Sequence, residues 1–76
     1  MTKVAKYIAD MSTEDHKILV DSYKDFSVWF ASHRNEKGQF VSSVTDKKNV
    51  KRRTEATHRD HGVAHLEAYK KYLELS

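Results

Sequence analysis

Residues 13–33, TEDHKILVDSYKDFSVWFASH, hold the only Trp, two of the three Phe and most of the long apolar side chains of the N-terminal half. Any core this chain builds must use them. Leu19, Tyr23, Phe26, Phe30 and His33 recur at steps of four, three, four and three, the spacing of one side of an α-helix. Ile18, Ser22 and Trp29 form a neighbouring row, with Lys17, Asp21, Lys24 and Asp25 opposite. So wide an apolar arc predicts a long central helix with neighbours on two sides. Ser12 or Thr13 caps its start, Glu14 and Asp15 suit its first turn, and Arg34, Asn35 and Gly38 supply a stop.

Two glycines and no proline leave few breaks, which favours helices elsewhere too. Residues 3–11 read as a short first helix with Val4, Ile8 and Met11 aligned. Asn35-Glu36-Lys37-Gly38 reads as a type I turn, and Phe40, Val41 and Val44 as a short extended piece or a tucked loop. Thr45 or Asp46 caps a second helical region, polar from 46 to 61 and apolar again from 63 to 75, where Val63, Leu66, Tyr69 and Leu73 align. The two stripes are offset, and Gly62 at the joint predicts a kink. The expected fold is a single all-α domain: a bundle of three to four helices, with a long aromatic-rich central helix and a C-terminal helical region bent near Gly62. Residues 46–61 are expected to project as a basic rod.

Several function classes recede on composition. The 76 residues are 33% charged and contain no apolar run long enough for a bilayer, so no membrane span is expected. The N-terminus lacks the apolar core of a secretory signal. Absence of Cys removes disulfides and thiolate ligands and fits a cytoplasmic location. A chain this short buries little apolar area per residue, which is compatible with a homodimer.

Charge is the clearest functional signal. Residues 1–38 balance, so the whole excess of +3 lies in the second half. Lys47, Lys48, Lys51, Arg52 and Arg53 are uninterrupted by any acid, and Arg59 follows. On a helix Lys48, Arg52 and Arg59 share one side, a band suited to phosphate or to an acidic protein surface. The leading expectation is a small non-enzymatic module that binds DNA or RNA phosphate. The alternative is a small accessory or inhibitor protein that grips an acidic partner through bidentate arginines.

His58, His61 and His65 recur at steps of three and four, a spacing that can ligate a divalent ion on one helix. HGVAH has the outer spacing of the metalloprotease helix motif without its Glu, so the general base is missing. Packing or surface roles for these histidines are expected, with no cofactor. No nucleophile elbow or glycine-rich phosphate cradle is present, and catalysis is not expected.

Overall fold

The structure, a computed structural model, describes residues 11–75. It overturns the all-α expectation. The chain runs α1 (Thr13–Tyr23), β1 (Val28–Arg34), β2 (Phe40–Asp46), β3 (Arg53–His58) and α2 (His61–Glu74). Two helices and one antiparallel sheet, in the order β1-β2-β3, replace the helical bundle. The first helix expected over residues 3–11 lies almost wholly outside the described residues.

The aromatic stretch divides. Ser12 caps α1, its Oγ accepting from the Asp15 N–H at 3.1 Å. The helix ends at Tyr23 because the next residues find a competing local partner. Asp25 Oδ1 accepts from the Ser27 N–H at 2.9 Å and from the Ser27 hydroxyl, an Asx turn that pulls the backbone out of helical geometry. Beyond it Val28, Trp29 and Phe30 pair with Asp46, Thr45 and Val44 of β2. Branched and aromatic residues suit that pleated surface, and Val28 turns inward while Trp29 turns out.

The basic rod divides as well. Thr45 and Asp46 end a strand rather than cap a helix, residues 47–52 form a loop, and Arg53–His58 pair with Thr45–Phe40. At the β1–β2 connection the expected turn is present. The Gly38 N–H donates to the Asn35 carbonyl at 3.1 Å, and Gly38 takes φ +76°, a conformation open to glycine at little cost. Gly62 marks no kink: it sits in the first turn of a continuous α2 whose cap is Asp60, with Oδ2 accepting from the Val63 N–H at 2.9 Å.

Directly paired residues share a sheet face. Val28, Phe30, Val44, Thr54 and Ala56 lie on one side, where α2 packs across β2 and β3 with α1 beside it. Val44, fully buried, centres a cluster with Val28, Ala56, Ala68, Tyr69 and Tyr72, and Ile18 and Phe30 close its edge. Trp29, Ala31, His33, Val41, Ser43, Thr45, Arg53, Glu55 and Thr57 form the other face, on which neither described helix packs.

Candidate nucleic-acid interface

Six basic residues drew attention in the sequence, and the fold places them in three settings. Lys47, Lys48 and Lys51 are exposed in the β2–β3 loop. Arg52 and Arg53 follow them but are engaged within the molecule. The Arg52 Nε lies 3.6 Å from Asp46 Oδ2, its guanidinium stands over the Tyr72 ring at 5.5 Å, and it donates to the Leu75 carbonyl at 3.1 Å. Arg53 donates to Glu55 Oε2 at 2.8 Å. Arg59 lies past the far end of β3, about 20 Å along the chain from Arg53 at the rise of an extended strand. The single cationic face expected from helical spacing does not exist, because strand geometry separates residues that a helix would have stacked.

The loop itself is tightly held. Asp46 Oδ1 accepts from the Lys48 N–H at 2.8 Å and the Asn49 N–H at 3.3 Å. Asn49 Oδ1 accepts from the Lys51 N–H, and the Arg52 N–H returns to the Asn49 carbonyl. The second oxygen of Asp46 accepts from the Tyr72 hydroxyl at 2.9 Å, tying the loop to α2. These donors hold the Asp46 carboxyl below the usual carboxylate range, led by the Lys48 N–H and then the Tyr72 hydroxyl. Burial, reinforced by that carboxylate, raises the Tyr72 pKa.

A second clamp of the same design stands beside the first. Asp25 holds its Asx turn with Oδ1 and accepts from the Tyr69 hydroxyl with Oδ2 at 2.8 Å. The Ser27 hydroxyl is the largest influence lowering the Asp25 pKa, and the Lys47 ammonium adds to it. Burial and the Asp25 bond push the Tyr69 phenol up to about 12. The two turns are joined, since the Lys47 N–H donates to the Ser27 carbonyl at 3.0 Å. One end of the molecule therefore presents a braced pair of turns. Phe26, 82% exposed, rides on the first, the three lysines ride on the second, and Trp29, 55% exposed, begins the open sheet face beside them. Helical spacing predicts both rings in the core, because it conceals the helix end at Tyr23 and the strand start at Val28.

The histidines disperse. His58 Nδ1 accepts from the Asp60 N–H at 2.9 Å, and His61 Nε2 meets Ser32 Oγ at 2.8 Å while its ring stacks on Phe40. His65 is buried between Tyr23 and Phe30, with ring centroids 4.8 and 4.3 Å away. Among the described residues no group of three potential ligands could hold a metal ion.

Two Ser–His contacts are present, and in the buried one the hydroxyl proton is already committed. Ser22 has one hydroxyl proton, which it donates to the Leu19 carbonyl at 2.6 Å. The 2.8 Å contact with His65 Nε2 is then donated by the imidazole, so no basic nitrogen faces the hydroxyl. Burial lowers the His65 pKa, keeping the ring neutral. Among the described residues no carboxylate hydrogen-bonds His61 or His65, which leaves both pairs without the orienting acid of a triad. No described helix is long and apolar enough to cross a membrane. Comparison with protein-family models, curated proteins and solved structures returns no match.

Proposed function

We propose that the chain binds nucleic acid by presenting Lys47, Lys48 and Lys51 to phosphate from the β2–β3 loop. The observation that carries this reading is the combination of a fixed backbone with uncommitted charge. Asp46 and Asn49 hold the loop through four hydrogen bonds to backbone N–H groups or the Tyr72 hydroxyl. Lys48 and Lys51 make no ion pair among the described residues. Three ammonium groups on a pre-ordered loop meet an anion with little further loss of backbone entropy.

An acidic protein partner, held by an accessory or inhibitor of this kind, remains the competing reading. It takes its contacts from the planar forks of Arg52 and Arg53 together with exposed Tyr or Trp. Those forks already serve Asp46, the Leu75 carbonyl and Glu55, whereas lysines act on phosphate as point charges without needing bidentate geometry.

A gel-shift titration with a mixed-sequence oligonucleotide tests the proposal. Retention at low salt is expected, with affinity falling steeply as salt rises. Changing Lys47, Lys48 and Lys51 together to Gln is expected to flatten the slope of log affinity against log salt by about two to three. Absence of retention at low salt, or a triple variant with an unchanged slope, overturns it.

A further inference from the structure

The proposed phosphate site leaves unexplained a large, half-exposed aromatic side chain on the sheet face that neither described helix covers. We infer that the nucleic acid is single-stranded and lies on this face, with an unpaired base stacked on Trp29 and the flanking phosphates on Lys47 and Lys48. The inference rests on the phosphate-binding reading and adds the form of the ligand.

The placement follows from register. Trp29 pairs with Thr45, and Thr45 with Arg53, so these three side chains form one row across the open face. Two strand spacings separate the ends of that row, about 10 Å. Lys47 follows Thr45 by two residues and Lys48 by three, which sets two cations just past the end of β2, beside the ring. The next row, Ala31, Ser43 and Glu55, has two small side chains nearest the indole, leaving room for a flat base beside it.

Charge selects the occupant. Around Trp29 the row carries Arg53, and the adjoining loop carries three lysines. The acid on this face, Glu55, lies on β3 in ion pairing with Arg53 at 2.8 Å. That pair cancels its own charge, so the loop lysines draw a polyanion along the β1–β2 side. A second copy of the chain would meet the same cations, and Ala31, Ser43, Thr45 and Thr57 offer it little apolar area to bury. A duplex hides its base faces within the stack, whereas every unpaired base offers a π-face to an indole.

Trp29 is the only Trp, so the emission of the intact chain reports this site alone. The probes are a thymidine decamer, the uridine decamer and a ten-base-pair DNA duplex. Either single strand should quench the emission, and duplex should compete weakly. Trp29→Ala should weaken single-strand binding by about fivefold to a hundredfold while leaving the salt slope intact, and Trp29→Phe should restore part of the loss. Circular dichroism of both variants checks that the fold persists. Unmoved emission, equal competition by duplex, or wild-type affinity in Trp29→Ala overturns the sheet-face inference. If those results accompany a salt slope that still depends on the lysines, the phosphate-binding reading stands alone. Sedimentation showing a dimer, with Trp29 shielded from acrylamide before any oligonucleotide is added, assigns the face to self-association instead. Failure of every probe to bind removes both readings.

Discussion

The two ends of the sheet are built from similar residues and leave opposite surfaces. At the end where β1 starts, Asp25 and Asp46 each fasten a turn with one carboxylate oxygen and a tyrosine hydroxyl with the other. At the opposite end, rings and cations satisfy one another. His61 stacks on Phe40 at 4.8 Å, the Arg34 guanidinium stands over the same ring at 4.8 Å, and His61 also bonds Ser32. The far end therefore consumes its aromatic and cationic chemistry internally. The clamped end fixes backbone with acids and hydroxyls, leaving Phe26, Trp29 and three lysines unspent. Which groups do the bracing decides which groups remain for a partner.

Swapping charge loss between the ends should break this contrast most plainly. Replacing Lys47, Lys48 and Lys51 with Gln should lower oligonucleotide affinity at low salt on the order of a hundredfold. Replacing Arg34, Lys37 and Arg59 with Gln should change it by less than about threefold, as measured by fluorescence anisotropy. Comparable losses would return Arg59 to the interface and dissolve the distinction between the ends.

The clamps should come next in size. Tyr69→Phe removes a buried donor to a carboxylate and should cost about 1.5 kcal/mol in urea unfolding. Tyr72→Phe should cost less, because Arg52 still faces Asp46. Hydrogen exchange should quicken at the Lys48 and Asn49 amides in the Tyr72 variant and at Ser27 in the Tyr69 variant. A uniform change in both would mean that the turns are not separately fastened.

At the far end, Gly38→Ala should destabilise by about 1 kcal/mol. A Cβ there meets nothing within 4 Å, so the penalty comes from φ +76° alone. Oligonucleotide affinity should not move.

The gentlest expected effect is a pH slope. Burial lowers the His65 pKa below its ordinary 6.5, so on acidification the unfolded chain takes up the proton first. Stability should decline as pH falls below about 6.5 and level off under the folded value. His65→Phe should remove that decline. A second loss should persist in the variant, since Asp25 and Asp46 are held below 3.8 and their contribution disappears as pH falls through their folded values. Denaturant midpoints measured from pH 8 to pH 3 separate the two.

Much of the local grammar was readable from the chain. Ser12 caps where a capping residue was expected, Gly38 closes its turn, and Leu66 and Tyr69 lie on the buried side of the last helix. The misreading arose where a helical period runs on past the end of the helix. Leu19, Tyr23, Phe26, Phe30 and His33 match helical spacing, while the consecutive Val28, Trp29 and Phe30 show no apolar–polar alternation to mark a strand. What decides for the strand is the Asp25 turn and a ladder to residues 40–46, neither of which spacing reveals. Strand β3 was hidden differently. RTEATH offers Ala56 as its one buried residue, so pairing with β2 defines it rather than apolar pattern. The lysines of the β2–β3 loop were visible as composition, but their arrangement was not, because Asp46 and Tyr72 stand 26 residues apart.

The tyrosine clamps also set an order of events during synthesis. All three strands and both turns leave the ribosome before Tyr69 and Tyr72 do. Until then Val28, Val44 and Ala56 lack the ring-bearing helix that covers them. A chain truncated before residue 69 would therefore hold an unlatched sheet, sensitive to protease at the turns that the full chain keeps closed.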